Sequence, residues 1–156
     1  MEKIKILFVC KGNICRSTMA QFLTLHKLKE NDIKEHFYID SAATGDRQIG
    51  KGIAPGTIQK LEENNIEYQE RYARMLLKEE YGDFDYIVAM DESIKEDILK
   101  IVSGDPNQKV YMLYDFAQMK FDIEDPGFTN DFDRTYREIN YGCDMFVEYL
   151  KNKYTL

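Results

Sequence analysis

An α/β fold is predicted for residues 1–156: one domain built on a four-stranded parallel sheet with helices on both faces. Two observations carry this expectation. Short apolar runs alternate along the chain with segments of helical periodicity, the pattern of strand, crossover helix, strand. The first of those runs, Ile6-Leu7-Phe8-Val9, is continuously apolar, which suits a strand buried on both faces of a parallel sheet. A chain of 156 residues is also of the size for a single sizeable core.

The elements follow in order. Lys3 to Val9 reads as the first strand, broken by Lys11-Gly12-Asn13. Ser17 to Glu30 reads as a helix with Ser17 as its N-cap. His36 to Ser41 is the second strand, and Thr44 to Gly56 is a glycine-containing loop. Thr57 to Asn65 is helical, with Ile58 and Leu61 on one face. Phe84 to Met90 is the third strand, after which Asp91 caps a helix running to about Lys100. Lys109 to Tyr114 is the fourth strand, and Phe116 to Asn130 a long loop containing Asp125-Pro126-Gly127. The last helix has the clearest signal, because Phe132, Tyr136, Ile139, Cys143, Phe146 and Leu150 recur at spacings of four and three. No repeat, linker or low-complexity tract interrupts the chain.

Composition narrows the function. Hydrophobic residues make up 44% and charged residues 31%, which is globular rather than disordered. No apolar stretch reaches the roughly 20 residues of a membrane helix, and the N-terminal run is too short for a signal peptide. A cytoplasmic location without membrane insertion is expected. Three cysteines argue for free thiols rather than a disulfide framework. Their spacing, with His26 and His36 as the two histidines, offers no zinc site, so neither metal nor other cofactor is expected. A net charge of −7 argues against nucleic acid as a partner. Any anionic substrate would need a local concentration of positive charge.

The segment Val9-Cys10-Lys11-Gly12-Asn13-Ile14-Cys15-Arg16-Ser17 supplies one. It joins a buried strand to a helix N-terminus, where successive backbone N–H groups and the helix dipole favour an anion. Gly12 and Asn13 tolerate the left-handed backbone angles that a tight cradle needs. Arg16 offers a planar fork able to hold two phosphate oxygens, and Lys11 adds charge. The segment thus reads as a phosphate-binding loop after the first strand, made by residues 11–17. Cys10, at its base, is placed for in-line attack on phosphorus, because the donors that hold phosphate also stabilise a thiolate. Ser17 could donate a hydrogen bond to the Cys10 sulfur as it departs. A Cys with Arg six residues on is weak by itself; the strand before and the helix after sharpen it. In Asp125-Pro126-Gly127 the residues alone leave two readings open, an ordinary turn or a proton donor for a leaving group on a mobile loop.

Cys10-Lys11-Gly12-Asn13-Ile14-Cys15-Arg16-Ser17 resembles the phosphate loop of the low-molecular-weight protein tyrosine phosphatases. The resemblance spans nearly the whole chain: Asp40-Ser41-Ala42-Ala43-Thr44, Ala73-Arg74, Phe84-Asp85-Tyr86-Ile87-Val88, Met90-Asp91-Glu92-Ser93 and Asp125-Pro126 fit in order and spacing. It implies metal-independent hydrolysis of phosphotyrosine in proteins, or of small aryl phosphates, through a phosphocysteine. Cys10 would be the nucleophile, Arg16 the phosphate clamp, Asn13 the brace of the loop, Ser17 the helper of the thiolate and Asp125 the general acid and base. It also supports Cys15 as a redox partner that forms a reversible disulfide with Cys10.

The chain departs from the family in places. Thr18 stands where proline is usual, with little effect expected. Arg47 stands where an aromatic pocket wall is common, so Arg47 and Phe128 are the candidate rim. With Lys11, Arg47 would make that rim basic and favour acidic flanking residues or multiply charged substrates. Gly127 replaces an aromatic residue, which leaves a smaller wall and a more mobile acid loop. Cys143 is expected to be inert core, and Asp91 a helix cap close to the site. Rival readings are an arsenate reductase, an arginine phosphatase on the same fold, and a phosphate- or phosphopeptide-binding module without catalysis. Residues 76–100 hold no cysteine, Ile14 stands where the arginine phosphatases carry threonine, and both nucleophile and acid are present, which argues against each in turn. Oligomeric state is left open.

Overall fold

Alternation decides how the central strand packs. In the computed structural model, which describes residues 2–156, strand β1 (Ile4–Cys10) sends Ile6, Phe8 and Cys10 to one side and Leu7 and Val9 to the other. From Ile6 to Val9 every side chain is fully buried. Such a strand needs cover on both faces, and it has it.

Along the chain follow α1 (Arg16–Glu30), β2 (Phe37–Ala43), α2 (Pro55–Glu63), α3 (Glu80–Asp83), β3 (Tyr86–Ala89), α4 (Glu92–Ile101), β4 (Val110–Met112), α5 (Pro126–Thr129) and α6 (Phe132–Tyr154). The four strands run parallel in the order β2-β1-β3-β4. Helices α1 and α6 cover the Phe8 face, where Phe146 meets the Phe8 ring edge-on at 6.0 Å. Helix α4 covers the other face through Ile94 and Ile98. Each such side chain contributes about 1.5–3 kcal/mol of burial, so the sheet is held from both sides. The predicted fold class is the observed one.

Boundaries moved where tertiary contacts decide. Ser17 does not cap α1: the helix begins at Arg16, and Cys15 is its N-cap without a side-chain bond. Strand β2 runs on to Ala43, and α2 begins at Pro55, a residue well suited to a first helical turn. The fourth strand ends at Met112, because Leu113–Ala117 turns into a 3₁₀ helix. The late loop contains the single turn α5, and α3 was not foreseen.

The chain leaves β1 for β2 on one side and resumes with β3 on the other. The carboxyl ends of β1 and β3 therefore flank the point where strand order reverses, the usual place for a ligand in such sheets. Cys10 is the last residue of β1, and Asp91 follows β3.

Candidate active site

The loop from Cys10 to Ser17 is held from outside by its carbonyl groups. Those of Cys10, Lys11 and Ile14 accept from the backbone N–H groups of Thr44, Gly45 and Ala54 at 2.9–3.0 Å. Cys15 O accepts from Met19 N–H and from the Thr18 hydroxyl. With its carbonyls engaged there, the loop can turn N–H groups toward Cys10. Asn13 N–H does so, donating to Cys10 Sγ at 3.3 Å.

Asn13, not Gly12, takes the left-handed backbone conformation, at φ 59°. Gly12 serves by its size instead, since a Cβ there would lie 2.9 Å from Gln48 Cγ. The cost of the Asn13 conformation is offset by its side chain. Arg74 N–H donates to Asn13 Oδ1 at 3.2 Å, which fixes the orientation of the amide. Asn13 Nδ2 donates to Ser17 Oγ at 2.8 Å and to Ser41 Oγ at 3.0 Å. The Ser41 hydroxyl in turn donates to Gln21 Oε1 at 2.6 Å. Ser17 Oγ thus accepts from Asn13 and from the Cys10 thiol, 3.0 Å away; once that sulfur is ionised, the Ser17 O–H can donate to it instead. Asn13, Ser17 and Ser41 are all buried to 1% exposure or less, so each bond in the chain is made out of water.

Arg16 is 3% exposed. Its Nη1 donates to Asp91 Oδ2 and to the Ile123 carbonyl, each at 2.7 Å, while Nη2 lies 3.9 Å from Asp125 Oδ2. With Nη1 occupied, Nε and Nη2 are the donors left for an anion. Burial works against the Asp91 carboxylate. Its bonds from Arg16, Ile94 N–H and the Ser93 hydroxyl outweigh burial and hold its pKa below the usual aspartate value. Asp91 therefore does two things: Oδ1 caps α4, as expected, and Oδ2 aims Arg16.

Asp125 caps α5 by accepting from Gly127 N–H at 2.9 Å, and its side chain is 30% exposed. It faces a cavity of about 780 Å³ whose wall includes Lys11, Arg16, Asp97, Asp122 and Phe128. Phe128 is 91% exposed on the lip of that cavity. Arg47 is exposed and does not line it. Lys11 Nζ is engaged by Asp97 at 3.6 Å, and Asp91, Asp122, Glu124 and Asp125 contribute further carboxylates. Sequence distance hid the pairing of Lys11 with Asp97 of α4 and the number of carboxylates around this cavity.

Cys15, Cys10 and Cys143 are free and buried. Burial pushes the Cys15 thiol up to about 12, with Cys10 and Asp125 adding to the effect. Burial likewise pushes Cys143 up to about 12, in agreement with its reading as inert core.

A family profile described as low molecular weight phosphotyrosine protein phosphatase matches residues 5–156. The chain belongs to that family. It is similar to the low molecular weight protein-tyrosine-phosphatase PtpA of Staphylococcus aureus strain MRSA252, 35% identical over 150 residues, with 94% of each chain covered. Among solved structures it resembles YfkJ from Bacillus subtilis (TM-score 0.93, 28% identity, 98% of each chain covered). It also resembles SP-PTP, the low molecular weight protein tyrosine phosphatase from Streptococcus pyogenes (TM-score 0.82, 30% identity, 94% of this chain and 93% of that one).

Within this phosphatase, Arg16 and Asp125 lie 3.9 Å apart at Nη2 and Oδ2, and Cys10 ends β1 at the start of the loop that leads to Arg16. Asp91 was placed by sequence but undervalued, since a cap is the commoner role of an Asp after a strand. Ser41, Gln21 and the Ile123 carbonyl were missed as members of the site. The motif Asp40-Ser41-Ala42-Ala43-Thr44 was the available signal for Ser41, and nothing local marks a carbonyl.

Proposed function

We propose that the protein hydrolyses phosphotyrosine in proteins, and small aryl phosphates, through a phosphocysteine intermediate on Cys10. The observation that carries this reading is the convergence on one sulfur: Asn13 N–H and the Ser17 hydroxyl meet Cys10 Sγ, at the start of the loop that ends in the buried Arg16. The thiolate attacks phosphorus as the bond to the leaving phenolic oxygen breaks, and Asp125 in its acid form gives that oxygen its proton. Arg16 and the loop N–H groups hold the negative charge on the equatorial oxygens. In the second step water attacks phosphorus, the P–S bond breaks, and the Asp125 carboxylate takes the proton of the water. Ser17 stabilises the departing Cys10 thiolate, and inorganic phosphate leaves. Phe128, beside the acid, offers a face to the substrate ring.

Cys143 is wholly buried where α6 packs on α1, and Thr24 of α1 donates to it. That placement favours hydrolysis over a reductase that would relay electrons to a further thiol. Location in the cytoplasm belongs to the same proposal; among the described residues no helix is long and apolar enough to cross a membrane.

The test is hydrolysis of p-nitrophenyl phosphate and of phosphotyrosine peptides by the wild type and by Cys10→Ser, in reductant and without added metal. Turnover in the wild type and its loss in Cys10→Ser are expected. Equal activity in Cys10→Ser would overturn the mechanism. A wild type that binds phosphopeptide without turnover would make the protein a binding module.

A further inference from the structure

The outer edge of β2 is open over part of its length. A strand in a parallel ladder turns alternate residues toward its neighbour and away from it. In β2, Ser41 and Ala43 turn outward: the Ser41 carbonyl accepts from Arg71 Nη2 at 3.3 Å, and Ala43 N–H donates to the Arg74 carbonyl at 2.8 Å. Phe37 and Ile39 belong to the same outward set on this edge strand. The Phe37 N–H is taken by the Lys34 carbonyl. The Phe37 carbonyl and both backbone groups of Ile39 meet no partner among the described residues.

These groups border a cavity of about 700 Å³ between α1, β2 and residues 65–71, which Cys10, Arg16 and Asp125 do not line. Phe22 and Leu25 of α1 and Tyr68 give it an apolar wall, Tyr68 meeting Phe22 edge-on at 6.3 Å. Two polar side chains in its lining are idle. Gln21 is 8% exposed; its Oε1 accepts from the Ser41 hydroxyl, and its Nε2 donates to no group among the described residues. Arg71 has an unpartnered Nη1, and its Nη2 reaches only the carbonyls of Ser41 and Tyr72. The carboxylates nearby are engaged: Asp40 by Arg74, Glu67 by Lys29 and Glu70 by the Tyr72 hydroxyl, while Glu30 faces His26.

We propose that this cavity receives the C-terminal end of a partner polypeptide as a short added strand, with a free carboxylate and an apolar penultimate side chain. Idle backbone groups on a sheet edge are complementary to another peptide backbone. The direction of that strand follows from what closes the edge beyond Ile39. About 6.6 Å further along β2, the Arg71 guanidinium covers the Ser41 carbonyl, and Met75 already pairs in parallel with Ala43. An added strand therefore stops there. Running parallel, like every strand of this sheet, it ends in a carboxylate beside Arg71 and Gln21 Nε2. Running antiparallel, it would begin there with an ammonium against a cation, so charge selects the first. In that register the last residue donates its N–H to the Ile39 carbonyl, and Ile39 N–H donates to the carbonyl two residues earlier. The penultimate side chain then shares the face of Ile39, against Phe22, Leu25 and Tyr68.

The proposal goes beyond the phosphatase reading and is tested apart from it. The chain has no tryptophan, so a peptide that carries one reports its own binding. The probe is acetyl-Thr-Val-Thr-Trp-Ser with a free C-terminus, titrated with the whole protein by fluorescence anisotropy beside the same peptide as its C-terminal amide. The free acid should bind about tenfold or more tightly than the amide. Arg71→Met should bring the acid down to the level of the amide, and Leu25→Glu, which puts a charge on the apolar wall, should weaken both. The amide signal of Ile39 should move in NMR spectra, and saturating inorganic phosphate should not displace the peptide. No binding, equal affinity for acid and amide, or unchanged affinity in a folded Arg71→Met would overturn the proposal. So would displacement by phosphate, which would put the peptide carboxylate on the phosphate loop instead. The comparison of acid with amide needs no variant, so it decides even if Arg71→Met does not fold.

Discussion

The two loops that meet at the site are built in opposite ways. Residues 10–17 are tied down on every side: carbonyls engaged from outside, an Asn13 amide with every polar group bonded, and an arginine 3% exposed. The loop that carries Asp125 has a one-turn helix, one cap bond to Gly127 N–H, an exposed Phe128 and a contact to Arg16 of 3.9 Å. Charge stabilisation needs donors already in place, since moving them during reaction forfeits their benefit. A proton donor must instead admit a substrate, then release a product, so adjustability is useful there. The difference assigns rigidity to phosphate binding and mobility to proton delivery.

Substitutions test that division, starting with the largest effect. Cys10→Ser should reduce kcat to background, and Arg16→Ala should reduce kcat/KM by about 10³-fold, read with p-nitrophenyl phosphate. Asp125→Asn should cost about 10²–10⁴-fold on phosphotyrosine but clearly less on p-nitrophenyl phosphate, whose phenolate leaves without a proton. An equal loss on both substrates would remove Asp125 from proton transfer. Asn13→Ala should destabilise the fold by about 1–3 kcal/mol in urea unfolding and lower kcat as well, because Ser17 and Ser41 lose their donor in a buried place. Phe128→Ala should raise KM for phosphotyrosine a few-fold and leave stability within about 0.5 kcal/mol, as suits a side chain that is 91% exposed.

The thiols bear on stability only at alkaline pH, and the sign can be worked out. Burial holds the Cys15 and Cys143 thiols near 12 against an ordinary value of 9.0, so the folded state keeps protons that the unfolded state gives up. Stability should therefore be intact below pH 9 and fall as pH rises from 9 toward 12, by up to about 1.4 kcal/mol per pH unit for each thiol. Cys143→Ala should make that decline shallower in urea unfolding at alkaline pH.

Much of this was written locally. The apolar run of β1, the stripe of α6, the cap at Asp91 and the spacing from Cys10 to Arg16 depend on neighbours within a few residues, and sequence alone determined them. So did the order of strands and helices, and with it a parallel sheet. Tertiary structure alone decided the rest. Ser17 looked like a cap because serine before a helix usually is one, but a deeper competitor took its hydroxyl. Lys11 looked free because Asp97 lies far along the chain. Asp91 reaches Arg16 across 75 residues, Ile123 across 107 and Arg74 reaches Asn13 across 61. Such partners are set by which strand ends the crossovers bring together, and a hydrogen bond between them leaves no period, spacing or composition behind in the chain.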